Sequence, residues 1–131
     1  MARILIIEDN EQNLYLASFI LQKAGHSVIA ARDGSSGIAA AESHQPDLIL
    51  LDIHLPVLDG HAVAARLRSR PALAGIPIVA VTSYAMAGDR ERIIASGCNG
   101  YIEKPIDPES FVTTVVSFLP GGGRQTEGGE P

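Results

Sequence analysis

The chain of 131 residues holds one cysteine, no tryptophan, three tyrosines and three phenylalanines. A lone Cys98 closes no internal disulfide, so this is not a disulfide scaffold, and nothing cationic beside Gly97 and Asn99 marks the thiol as activated. No apolar run approaches the roughly 18 residues a membrane helix needs, because Pro, Ser or an acid interrupts each one. Positive charge is scarce: Lys and Arg number 10 against 15 Asp and Glu, a net charge of −5 that opposes attraction to DNA or anionic lipid. The start, Met1 to Ile7, runs into Glu8-Asp9 before a signal-peptide core forms, so a cytoplasmic protein is expected. Neither GxGxxG nor GxxxxGK(S/T) is present, which removes the usual phosphate cradles of dinucleotide and NTP binders. His26, His44, His54 and His61 lack the partner spacing of a zinc site and are expected on the surface or in loops.

What is present suits one globular domain. Hydrophobic residues make up 46%, charged residues 19%, and mean hydropathy is +0.16, enough for one sizeable core. Residues 120–131 contain five glycines and no aliphatic or aromatic side chain, which predicts a flexible tail and leaves residues 1–119 as one unit.

Short, nearly continuous apolar runs recur at Ile4–Ile7, Val28–Ala31, Leu48–Leu51 and Ile78–Val81, with a weaker Tyr101-Ile102. They predict five strands covered on both faces, hence a parallel sheet flanked by helices. Amphipathic spacing lies between them, as with Leu14, Ala17, Ser18 and Leu21, or Val112, Val115, Val116 and Leu119. Helix starts are signalled by Asn10, by Ser35 or Ser36, by Asp59, by Asp89 within the fourth helix, and by Asp107-Pro108-Glu109. The alternation predicts a doubly wound α/β sheet with its ligand crevice beyond the carboxyl ends of the strands.

The loops after the strands carry the chemistry. Glu8-Asp9 follows the first strand and Asp52 ends the third, where three carboxylates within about 4–6 Å repel by about 3–4 kcal/mol per pair at an effective dielectric of about 20. Either a counter-ion joins them or one acid protonates, and Mg²⁺ meets the first need. Thr82 and Ser83 follow the fourth strand as helix caps or oxyanion donors, and Lys104-Pro105 follows the fifth. Three carboxylates, one divalent cation and one ammonium are neutral together. Arg66, Arg68 and Arg70 form a basic helix end, a weak hint of a docking patch.

At these residues the chain resembles the receiver domain of bacterial two-component response regulators over Met1 to Leu119. Val79 to Thr82 and Ala85 to Asp89 are similar to DivK-like single-domain regulators and hybrid-kinase receivers. The resemblance implies a flavodoxin-like sheet of order 2-1-3-4-5 and a cis Lys104-Pro105 bond. It makes Asp52 the phosphoryl acceptor, served by a histidine kinase or a histidine phosphotransfer protein. Mg²⁺, or Mn²⁺ in its place, is implied at Glu8, Asp9, Asp52 and the main-chain carbonyl of His54. Thr82 with Ser83, Lys104 and Tyr101 become the phosphate-contacting and switch residues, and His54 and Tyr84 modulate the lifetime of the phosphorylated state. A downstream protein is implied on the face of helix four, strand five and helix five, with no DNA, no membrane and no activity beyond the protein's own phosphorylation and dephosphorylation. A Mg²⁺-dependent phosphohydrolase of the aspartyl-phosphate type is the competing class; it ordinarily has an acid two residues after the nucleophile, where this chain has His54.

Overall fold

Alternate residues of the first strand go to opposite sides of one sheet. Ile4 and Ile6 enter one apolar cluster, Leu5 and Ile7 the other, as the two-residue period of a strand requires. The computed structural model describes residues 2–83 and 87–119; the expectations for Tyr84, for Ala85-Met86 and for the 120–131 tail lie outside the described residues.

The strands are β1 (Arg3–Ile7), β2 (Ser27–Ala31), β3 (Leu48–Asp52), β4 (Ile78–Thr82) and β5 (Gly100–Glu103). They alternate with α1 (Glu11–Lys23), α2 (Gly34–His44), α3 (Gly60–Arg68), α4 (Ala87–Ala95) and α5 (Pro108–Ser117). A short 3₁₀ turn, Pro71–Leu73, follows α3. All pairings are parallel and the order is β2-β1-β3-β4-β5, the flavodoxin-like order expected from the resemblance.

Coverage on both faces holds for β3 and β4 throughout and for β1 after Arg3, but not for β2 and β5, which are only partly buried. These two are the edge strands, with a neighbour on one side only. Val63, Ala64 and Leu67 of α3 and Ile38 and Ala41 of α2 pack with Leu5, Ile7, Ile49 and Leu51. Ala17 and Leu21 of α1 and Phe111 and Val115 of α5 pack with Ile4, Ile6, Leu50 and Val79. Phe111, outside the expected stripe, is the largest fully buried side chain of α5.

Four starts follow the sequence: Asn10, Asp59 and Asp107 cap α1, α3 and α5, Pro108 takes the first turn of α5, and Asp89 lies in the first turn of α4. The second expectation is corrected. Asp33, not Ser35 or Ser36, caps α2, its carboxylate accepting the Ser36 N–H at 2.8 Å. Two further corrections concern basic groups. Arg68 is no docking residue: its guanidinium is spent on main-chain carbonyls inside the fold. His61 lies half-buried in α3 and His26 accepts the Ala2 N–H through Nδ1 at 3.0 Å, so neither is a free surface histidine.

Candidate functional site

Parallel register delivers the acidic residues to one place. Ile7 pairs with Leu51, so Glu8, one residue beyond β1, and Asp52, the last residue of β3, leave the sheet at the same level. The ladder continues past both: Glu8 N–H donates to Ala31 O at 3.0 Å and Ile53 N–H to Val81 O at 3.2 Å. Gly60 fixes the far side of Asp52, since a Cβ there would lie 2.5 Å from Ile53 Cα and 2.7 Å from the Asp52 carbonyl oxygen. Only glycine lets α3 begin so close to the end of β3.

Glu8 and Asp52 are 5% and 3% exposed, whereas Asp9 is exposed on the rim. Each of the three can offer an oxygen within 4.8 Å of the others, and they are the metal-capable group among the described residues. Lys104 Nζ lies 3.1 Å from Glu8 Oε1 and 3.5 Å from Asp52 Oδ1. Asp52 Oδ1 also accepts the His54 N–H at 3.0 Å, and Glu8 Oε2 accepts the Asn10 N–H at 3.1 Å. One ammonium therefore serves two buried acids. Burial pushes the Glu8 carboxyl up to about 7, with its hydrogen bond and charge contact to Asp52 raising it further and Asn10 N–H and Lys104 opposing. A carboxyl held near neutrality beside a second acid fits a divalent cation, which would displace its proton and complete the charge balance.

The remaining predicted residues frame this cluster. Thr82, 1% exposed, ends β4; its carbonyl accepts the Lys104 N–H at 2.8 Å, and its Oγ1 lies 3.4 Å from His54 Nε2. Ser83 is exposed just beyond it. Lys104-Pro105 is cis, as the resemblance implied. Tyr101 sits half-buried in β5, opposite Ala80, with the Arg90 guanidinium 5.7 Å from its ring centre. A groove of about 390 Å³ runs beside it, lined by Arg90, Ile102, Glu103, Asp107, Phe111 and Thr114 among others. Cys98 is buried and its thiol is pushed up to about 11, so it is not an activated nucleophile.

Sequence reasoning missed the Thr82–His54 contact, for which the signal was a histidine two residues past the acid. It also missed the three-residue turn at Val57, where Leu58 N–H donates to Pro56 O at 2.7 Å and φ is +66°.

An open parallel sheet of this order, with acids at its first and third strand ends and a lysine after its fifth, is the architecture of the receiver class of signalling domains. The sequence matches the response regulator receiver domain over residues 4–116, and the chain belongs to that family. It is a DivK-like receiver domain of a two-component response regulator. It is 42% identical to the polar-differentiation response regulator DivK of Brucella anthropi over 116 residues, covering 88% of this chain and 94% of that protein. DivK of Brucella ovis matches to the same extent. Among solved structures, chemotaxis protein CheY4 of Vibrio cholerae superposes with a TM-score of 0.87 at 28% identity, covering 91% of this chain and 99% of that one. The receiver domain of sensor histidine kinase PA1611 of Pseudomonas aeruginosa, with magnesium coordinated in its active-site cleft, has a TM-score of 0.83 at 32% identity, covering 89% of this chain and 96% of that one. Receiver domains bind Mg²⁺ in an acidic pocket and work with histidine kinases or phosphotransfer proteins. Among the described residues no helix is long and apolar enough to cross a membrane.

Proposed function

We propose that Asp52 accepts a phosphoryl group from a phosphohistidine on a kinase or phosphotransfer protein. A carboxylate oxygen of Asp52 attacks phosphorus, the P–N bond breaks, and the neutral imidazole leaves with a proton from solvent, so an acyl phosphate replaces a phosphoramidate. Asp9, Asp52 and the main-chain carbonyl of His54 would hold Mg²⁺, or Mn²⁺, with Glu8 acting through water. The cation supplies charge neutralisation for the acceptor and the incoming phosphoryl oxygens. Lys104 pairs with a phosphoryl oxygen after exchanging its carboxylate partners.

The observation that carries this reading is the pair of buried acids sharing one ammonium: Asp52 is kept close to a cation without being sealed off by it. Phosphorylation turns one negative charge into about two and adds acceptor oxygens. Thr82, with Ser83 beside it, turns toward them; Tyr101 gives up the Arg90 contact and moves inward, remodelling the α4, β5 and α5 face and its groove for a downstream protein. The donor is read as a protein because Tyr15, Leu16 and Phe19 stand exposed on α1, whose first turn adjoins the acids, with Tyr15 and Phe19 stacked at 6.2 Å. Residues 1–119 form the receiver unit, which catalyses only its own phosphorylation and dephosphorylation.

Incubation with a small phosphodonor and Mg²⁺, read by mass spectrometry, tests the reading. One phosphoryl adduct is expected per chain, absent without metal and absent in Asp52→Asn. Labelling that survives in the variant would remove Asp52 from the role. Small replacements at His54 and Tyr84 are expected to shorten the adduct's lifetime by easing the approach of water.

A further inference from the structure

His54 touches the site at two points through two different parts of itself. Its main-chain N–H donates to Asp52 Oδ1 at 3.0 Å, and its ring Nε2 lies 3.4 Å from Thr82 Oγ1. The first contact ties the residue to the acceptor, and the second joins it to the hydroxyl at the end of the neighbouring strand. Thr82 cannot drift as a whole, because its carbonyl accepts the Lys104 N–H and its side chain is 1% exposed. What is left to Thr82 is rotation of the hydroxyl, and His54 is one of the groups that choose its direction.

We propose that the His54 ring is a positioning residue that holds the Thr82 hydroxyl in its resting direction. The phosphoryl group on Asp52 must then win that hydroxyl in competition with Nε2, so the contact sets how readily the site passes to its switched state. This deepens the phosphoacceptor reading and rests on it. At 3.4 Å the contact is longer than the usual 2.7–3.0 Å of a strong bond, which suits an interaction made to be exchanged. The ring also has somewhere to go: His54 lines a cavity of about 320 Å³ with Ile53, Leu55, Asp59, His61 and Arg92. A released imidazole would have that space beside it, and the exposed position of His54 makes substitution compatible with folding.

The idea separates from simple bulk at residue 54. His54→Phe keeps the ring and loses the hydrogen-bonding nitrogen, whereas His54→Gln keeps a polar atom near the same place. The test is the affinity of beryllofluoride, measured by calorimetry at saturating Mg²⁺, for the parent, His54→Phe, His54→Gln, Thr82→Val and the double variant His54→Phe/Thr82→Val. A net hydrogen bond of ordinary strength corresponds to roughly a two- to tenfold change. His54→Phe is expected to bind beryllofluoride tighter by that factor, and His54→Gln is expected to stay within twofold of the parent. In the Thr82→Val background, adding His54→Phe is expected to change nothing. An unchanged or weakened affinity in His54→Phe overturns the proposal, as does an equal gain with and without the Thr82 hydroxyl. If the parent itself fails to bind beryllofluoride, the acceptor reading falls and takes this one with it. Binding by the parent with no response to His54→Phe removes the positioning role alone.

Discussion

Lys104 and Arg68 lie at opposite ends of the parallel strands and satisfy their charges differently. Lys104, beyond the end of β5, faces the carboxylates of Glu8 and Asp52. Arg68, at the end of α3, meets neutral acceptors among the described residues: Gly97 O at 2.8 Å, Ile76 O at 2.7 Å, Ala74 O at 3.0 Å, Leu73 O at 3.5 Å and Asn99 Oδ1 at 2.7 Å. A guanidinium matched to several fixed carbonyls has little reason to move, since every exchange would leave a part-buried carbonyl of Gly97, Leu73 or Ile76 unpaired. An ammonium shared by two acids is under-supplied and can trade partners when charge arrives. The lower end of the sheet is therefore built for permanence, and the upper end for exchange.

The largest expected effect tests the permanent end. Arg68→Ala strips hydrogen bonds from the turns before β4 and β5, and the protein should lose about 2–4 kcal/mol in urea unfolding. Mg²⁺ affinity should stay within twofold, because none of the hydrogen bonds of Arg68 among the described residues goes to Glu8, Asp9, Asp52 or Lys104. Gly97, at φ +115°, comes so close that a Cβ would lie 2.6 Å from Arg68 Cγ, so Gly97→Ala is expected to loosen the same clamp. A large loss of metal affinity in Arg68→Ala would show that the two ends are coupled.

A smaller effect probes the exchangeable end through pH. Glu8 rises from 4.5 to about 7 in the fold, so its protonated form is favoured there. The contribution is complete below pH 4.5 and is lost as pH climbs through 7, when the unfolded chain ionises first. Relative to Glu8→Gln, the metal-free parent should thus lose about 1–3 kcal/mol between pH 4.5 and 7.5. Mg²⁺ must displace that proton, so its affinity for the parent should rise by up to about tenfold per pH unit below 7 and level off above. Calorimetry across pH 5.5–8 checks this. A flat profile in the parent, or an unchanged slope in Glu8→Gln, would take Glu8 out of the metal site.

The difference between the ends also decides what could be read from the letters. Site residues announce themselves because acid, hydroxyl and lysine each follow an apolar strand, and parallel pairing of Ile7 with Leu51 then puts Glu8 level with Asp52. The Arg68 clamp was not legible: four of its five acceptors are main-chain carbonyls, which every residue possesses, and Asn99 alone carries a hint, its Oδ1 also taking the Ile78 N–H at 2.8 Å. The start of α2 was misread for a related reason. Asp and Ser are both preferred caps, so the letters alone do not choose between them, and here the Asp33 carboxylate reaches past Gly34 and Ser35 to Ser36 N–H. The edge strands β2 and β5 were read as covered because composition shows apolar character and does not show which strand lies outermost.

The smallest effect asks whether the exchangeable end also stores backbone strain. Val57, fully exposed between Asp52 and α3, holds φ +66° although it is β-branched, and it buries nothing in return. Left-handed backbone costs such a residue roughly 1–2 kcal/mol, while glycine gives back roughly 0.5–1 kcal/mol through its freer unfolded chain. Val57→Gly should therefore stabilise the protein by about 0.5–1 kcal/mol in urea unfolding. The gain would place strain on the loop after β3 that carries His54, whereas at the Arg68 end Gly25 and Gly97 take left-handed backbone without strain and Gln45, at φ +47° after α2, is the one non-glycine residue that does so. A neutral or destabilising outcome would mean that the turn is relaxed as it stands, and that the two ends differ in charge pairing alone.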